Sequence, residues 1–437
     1  MSNSSMADSI GSGKSKVKKR TESRRLFFSR VANALLALYA ASIYIWSDNE
    51  DMVLYSTLLC LASMVCMLYV VVTRRDFYIP KAFFFLIAFN VLCVLSMLWA
   101  VRLDKAMAMA VRTLPLLTLF ALVLYNYIDE IKDPRVLIRS IYIAGIVLAL
   151  YTIYMQGGLG GYLNQLGLGE RVGENVNNVN AIGLGTGISA IIAFYYVISK
   201  RRLAHLLALF LCGFVALGTG SNKALVVMAL GCFLILLFDA ISSGSVLSLV
   251  KLIIGITVIV AAFMLLLQLP MFETINQRFT GMINAYMGNG RIDGSARIRN
   301  VLVKAGLAQF VQAPVFGIGI NNGSVVAMKA VGHDYYLHNN YVELLVDVGV
   351  VGTALFYALP LVALVVCLKK VKQGDAEAVL VVAIMLAWLI IQWGYVSYYS
   401  KPTYLYFALF AVVALPAPPR VATNSFARPV IRRRCKQ

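Results

Sequence analysis

Runs of about twenty consecutive apolar residues recur along the whole chain, and few folds can hold them. Each run is long enough to cross roughly 30 Å of hydrocarbon as a helix. A helix is favoured there because lipid offers no partner to an unpaired backbone group. Composition agrees: of 437 residues, 60% are hydrophobic and only 14% charged, against roughly 25% charged in soluble domains. The runs are continuous rather than alternating, which excludes a β-barrel. The sequence therefore predicts an all-α polytopic membrane protein with about twelve transmembrane helices, at 27–46, 52–72, 80–100, 108–127, 136–155, 180–198, 203–218, 223–241, 247–268, 338–367, 377–395 and 403–417.

Lys and Arg orient these spans, because cytoplasmic loops hold the excess. With the N-terminus in the cytoplasm, 27 of the 39 basic residues fall inside and 12 outside, which puts both termini inside. The chain then divides into a basic cytoplasmic arm (1–26), nine helices (27–268), a large outer loop (269–337), three helices (338–417) and a basic cytoplasmic tail (418–437). The arm is Ser-rich and lacks the apolar stretch of a signal peptide, so it is expected to be disordered. The net charge of +19 mostly flanks spans on one side, which points to topology and anionic lipid headgroups rather than nucleic acid. All seven cysteines lie in spans or on the inner side, and no metal-type Cys/His spacing occurs. No cofactor is expected.

Polar residues gather at the outer face. The loop at 156–180, "QGGLGGYLNQLGLGERVGENVNNVN", is rich in Gly and Asn and carries Arg171. The larger loop contains a helical pattern from Arg297 to Gln312, with Ile298, Leu302, Ala305 and Gln309 near one face. It is too polar to span, which makes it an amphipathic surface helix. Arg297 and Arg299 stand at its start, with Arg291 just upstream. An arginine there can meet lipid headgroups, or clamp a diphosphate through its planar two-pronged donor set. Lys223 sits at an outer turn, "LGTGSNKAL", where it can snorkel outward or face the bundle as a cation awaiting an anion. Tyr395, Tyr398 and Tyr399 crowd the last outer turn, either as interface anchors or as a wall against a sugar or isoprenoid.

The densest outer polar cluster is "HDYYLHNNYVELLVDVGVVG", residues 333–352. His338 and Asn339 are followed by nine residues and then by Gly349 and Gly352 in a Gly-x-x-Gly. On a helix starting here, Asn339, Glu343 and Asp347 fall on one stripe. Two carboxylates at this depth must be partnered. They either orient Lys223 or an arginine, or form a structural ion pair. Gly349 and Gly352 would admit a neighbouring helix. His333 reads as surface loop, and His205 lies near the inner end of a span.

With these residues in view, the chain resembles the O-antigen ligase and polymerase superfamily, whose ligases carry this His-Asn-x9-Gly-x-x-Gly spacing. "RNVLVKAGLAQFVQAPVFGIG" resembles the family's arginine, helix and Pro-x-x-Gly-x-Gly run. Arg299 fits the family arginine best and Arg297 is the alternative. "NNVNAIGLG" resembles its Asn-rich span start, with Asn180 in that role. Where members often carry an arginine after a serine, this chain has Lys223, which keeps the charge and loses the fork.

The resemblance implies a GT-C-like glycosyltransferase on the periplasmic face of the Gram-negative inner membrane. It would transfer O-antigen from undecaprenyl diphosphate to a sugar of the lipid A-core. The leaving diphosphate needs charge stabilisation and the attacking hydroxyl benefits from a base. No outer loop carries Asp-x-Asp, so Arg297, Arg299, Lys223 and Arg171 are the candidates for the diphosphate and His338 for the base. Asn339, Asn180, Glu343, Asp347 and Tyr398 would support them. Two rivals share the superfamily: an O-antigen polymerase and a protein O-oligosaccharyltransferase. A transporter of lipid-linked sugars would instead spread charge through the depth of several spans.

Overall fold

The structure is a computed structural model that describes residues 3–46, 50–73, 77–269, 272, 273, 276, 277, 280, 281 and 294–417. Arg291, Cys435 and the rest of the expected tail at 418–437 lie outside the described residues. Every regular element among those described is helical. In chain order they are α1 (Asn3–Ile45), α2 (Glu50–Val72), α3 (Lys81–Leu95), α4 (Leu103–Met107), α5 (Leu114–Ile131), α6 (Arg135–Met155), α7 (Gly158–Gly167) and α8 (Val179–Lys200). Then follow α9 (Leu203–Gly218), α10 (Asn222–Ser243), α11 (Val246–Leu267), α12 (Gly294–Gln312), α13 (Gly323–Val331), α14 (Asn340–Lys372), α15 (Ala376–Ile391) and α16 (Lys401–Ala414).

The chain is an all-α polytopic membrane protein. Among the described residues eight helical segments are long and apolar enough to cross a bilayer. Shorter apolar helices, α9, α15, α16 and the described part of α11, fall on the four remaining apolar runs. At the centre stands α16, buried at every position from Thr403 to Ala414, against α5 and α14. A helix apolar all round belongs in such a place. Its Phe407 interlocks with Phe356 of α14 and Trp388 of α15, ring centroids 5.4 and 5.5 Å apart.

Three stretches depart from the sequence reading. The N-terminal arm, expected to be disordered, is helix from Asn3 onward and continuous with the first span. It contains no proline and only Gly11 and Gly13, so nothing stops the helix from running back. The fourth span begins earlier than expected and passes through a wide π turn at Ala108–Thr113. Pro115 follows at the start of α5, where its missing N–H and its ring force the ladder out of register. The Gly-rich outer loop at 156–180 contains α7, whose Tyr162 and Leu166 are buried. Gly218 makes room for that tyrosine: a Cβ there would lie 2.0 Å from its hydroxyl.

Candidate active site at a broken helix

The segment 313–323, "APVFGIGINNG", threads between the α3–α4 connection and α14, and it breaks α14 as it passes. Gly349 adopts φ 65°, ψ −170°, so the helix stops after Val348 and restarts at Val350. The backbone groups freed by the break are used by the loop. Ile318 and Gly319 donate to the carbonyls of Val346 and Asp347, both at 2.9 Å. In return Val350 donates to Pro314 at 2.9 Å and Val351 to Val315 at 3.3 Å. Only glycine fits the crossing, since a Cβ on residue 349 would lie 2.2 Å from the Val315 carbonyl oxygen. Gly349 was expected to pack a neighbouring helix and instead seats a loop. Gly352 does admit one, with Leu92 of α3 at 3.2 Å from where a Cβ would stand.

The two buried carboxylates also differ from expectation. Neither forms an ion pair among the described residues. Asp347 accepts from the backbone N–H groups of Asn321 (2.9 Å), Asn322 (2.9 Å) and Gly323 (2.7 Å) and from the Tyr398 hydroxyl (3.1 Å). It thereby caps the start of α13, whose first donors lack intrahelical partners. Glu343 accepts from the Leu337 N–H at 2.6 Å. Both side chains hold the loop in shape rather than orienting a cation. Tyr398, fully buried, is part of that scaffold and not an interface anchor.

His338 sits between these anchors with φ 58°, a left-handed conformation that is costly for a residue other than Gly or Asn. Asn339 starts α14 by accepting from the N–H groups of Tyr341 and Val342. Its Nδ2 and the Nδ1 of His338 are buried and make no hydrogen bond among the described residues. The imidazole lies against Tyr336, centroids 4.2 Å apart. Burial pushes its pKa down to about 4, and the charges of Arg299 and Lys223 add to the effect. The ring is therefore neutral at ambient pH.

Sequence reasoning passed over Asn340. Its Oδ1 accepts from Ser397 and Tyr398 N–H (2.8 and 3.0 Å), its Nδ2 donates to Tyr357 at 2.8 Å, and its own N–H donates to Gln392. This side chain ties the mouth of α14 to the last outer turn. The Asn-Asn doublet was the only signal, and the motif drew notice to its first member.

The cations reach His338 from separate elements. On α12 the buried stripe is Leu302 and Gly306, set against Leu337 and Val342 on either side of His338. Arg299 shares that stripe and is half-buried, whereas Arg297 and Ile298, which was expected to share a face with Leu302, are exposed. Arg299 and Arg171 also act on Lys223. Arg171 Nε donates to the Thr219 carbonyl at 3.0 Å, and the Ser221 hydroxyl donates to Asn180 Oδ1 at 2.9 Å. Arg171, Asn180 and Lys223 thus share one turn, beside an open cleft that Glu174, Asn177 and Asn178 also line. Lys223 packs against Gly394 and lies 5.9 Å from the ring centre of Tyr395, so it faces the bundle. Tyr395 forms the rim of a second, apolar pocket lined by Tyr44, Leu184, Val227 and Trp388.

Residues 206–357 match the O-antigen ligase family. The match is consistent with the superfamily that the sequence resembles. It runs from α9 into the second half of α14, and so includes Lys223, Arg297, Arg299, His338 and the broken helix. Arg171, Asn180 and Tyr398 lie beyond it. Members of this family are glycosyltransferase-like ligases and polymerases acting on lipid-linked polysaccharide. No curated protein matches the chain.

Proposed function

We propose that the chain is an O-antigen ligase. It transfers O-antigen from undecaprenyl diphosphate to a sugar hydroxyl of the lipid A-core, on the periplasmic face of the Gram-negative inner membrane. The observation that carries this reading is the convergence of Arg299, Lys223 and a neutral His338 from three separate elements. The acceptor hydroxyl attacks the anomeric carbon while its proton passes to the His338 imidazole. The carbon–oxygen bond to the diphosphate breaks, and the leaving group departs with the bonding pair. Attack opposite to that group inverts the anomeric centre. Lys223, Arg299 and Arg171 meet the developing negative charge without a metal ion, and Arg297 lies further out. The apolar pocket rimmed by Tyr395 suits the first isoprene units of the carrier lipid.

Purified protein reconstituted with a lipid-diphosphate glycan and rough lipopolysaccharide tests the proposal. We expect transfer to the lipopolysaccharide, lost in His338→Ala and unchanged by a chelator. Growth of glycan on the carrier lipid without the lipopolysaccharide would identify a polymerase. Transfer to added protein would identify a protein O-oligosaccharyltransferase, and movement of the lipid without covalent transfer a transporter. Activity that collapses with a chelator would overturn the metal-free mechanism.

A further inference from the structure

At the opposite end of α8 from Asn180, three helices bring four basic side chains together, with Arg201 in the turn between two of them. Arg135 and Arg139 come from the first turns of α6, Lys200 ends α8, and Arg201 and Arg202 form the turn into α9. Arg139, Arg135 and Arg202 all act on the Lys200 ammonium. Three acids stand nearby, one of them Asp375, which acts on Tyr195 beside Tyr196. Glu377 accepts from Arg135 at 2.5 Å, and Asp133 accepts from the Arg135 backbone N–H at 3.2 Å. Among the described residues Arg139, Lys200, Arg201 and Arg202 form no ion pair.

Fixing the orientation of a span requires positive charge on a loop but no particular arrangement of it. Here the arrangement is specific. Lys200 Nζ lies 3.9 Å from the ring centre of Tyr196. The Tyr142 hydroxyl is hydrogen-bonded to His205 Nδ1 at 3.1 Å, and the Tyr142 and His205 rings lie 5.7 and 4.9 Å from Tyr196. Arg201 holds φ 50°, where glycine or asparagine would be cheaper. Two exposed apolar stripes lead away from this wall: Ile143, Val147 and Leu150 on α6, and Leu203, Leu207 and Phe210 on α9. Cations at the head of two lipid-facing stripes match a molecule with an anionic head and apolar tails.

We infer that this basic cluster binds an anionic phospholipid. Arg139, Lys200 and Arg202 hold its headgroup phosphate, and the acyl chains lie along the α6 and α9 stripes. The site is separate from the proposed active site and does not depend on the reaction assigned there.

The test uses the full-length protein in zwitterionic nanodiscs, with lipid retention read by native mass spectrometry as phosphatidylglycerol or phosphatidylcholine is added. Wild type retains phosphatidylglycerol preferentially. Changing Arg139→Gln, Lys200→Gln and Arg202→Gln together weakens that retention on the order of 100-fold, since each basic residue near an anionic headgroup contributes roughly a factor of five. Lys369→Gln with Lys372→Gln, at the last turn of α14, leaves it unchanged. Undiminished retention in the triple variant would overturn the proposal, as would an equal loss in the α14 pair, which would mean general surface charge. Displacement of the lipid by inorganic phosphate would assign the cluster to a free anion instead. Should the triple variant not fold, Arg139→Gln alone, at an exposed position, is expected to lose about fivefold.

Discussion

The two ends of the bundle handle charge in contrasting ways. At the end opposite His338, several basic side chains pair directly with carboxylates: Arg25 with Glu130, Lys132 with Asp129 at 3.0 Å, and Arg135 with Glu377 at 2.5 Å. At the site end exposed pairs also form, Arg102 with Asp104 at 2.7 Å and Lys105 with Asp334 at 2.6 Å, but the two buried acids are withdrawn from the cations. Glu343 and Asp347 are occupied by backbone N–H groups, and the charges of Arg299 and Lys223 act on one another and on His338. Pairing neutralises charge in place, whereas withdrawal keeps positive potential available for a ligand. What separates a paired cation from an available one here is therefore the fate of the nearby carboxylates.

The contrast can be broken in four ways. Replacing His338 should have the largest effect. His338→Asn keeps a residue that tolerates the left-handed backbone, so the unfolding midpoint should hold while transfer falls about 10²- to 10⁴-fold. A variant that loses stability and activity together would make His338 a structural residue.

Next comes the scaffold. Asp347→Asn turns an amide N–H toward backbone donors, which should cost about 2–4 kcal/mol. Gly349→Ala, with its positive φ and its contact with Val315, should cost about 3 kcal/mol. Thermal unfolding of the purified proteins measures both.

The pH dependence is a subtler test. With the imidazole pushed down to about 4, kcat/KM should stay level as pH falls from neutral and drop only near that value. An unperturbed histidine would lose activity below about 6.5. Lys223→Gln removes a charge that disfavours imidazolium, so the acid limb should move to higher pH. An unmoved limb would separate Lys223 from His338. The smallest effect is expected at the paired end. Arg135→Gln breaks a largely exposed pair and should cost under about 1 kcal/mol.

Much of this architecture is legible in the sequence, because a twenty-residue apolar run in lipid has essentially one backbone solution. The place of His338 and the inward-facing Arg299 are legible too, through spacing. What escapes is tertiary. Gly349 in a Gly-x-x-Gly looks like a helix-packing residue, and nothing local reveals that the upstream loop from Pro314 to Gly319 supplies hydrogen bonds to the backbone on either side of it. Asp347 and Glu343 look like partners for cations, because the sequence does not show that backbone donors reach them first. The left-handed turn at His338 follows from that scaffold, as does the role of Asn340 as a tie between two outer turns.

The break at Gly349 has a mechanical consequence. Below it, Val350–Lys372 alone provides about 34 Å of helix, enough for the hydrocarbon thickness. The two turns above it, which begin just after His338, are fastened to α12, α13 and the last outer turn. The lower helix is held to the same loop through Val350 and Val351, and Asn340 reaches across the break to Tyr357. Tilting of that helix in a thicker or thinner bilayer is therefore passed to the turns beside the imidazole rather than absorbed at the glycine. The clamped joint couples the mouth of α14 to the elastic state of the membrane around it.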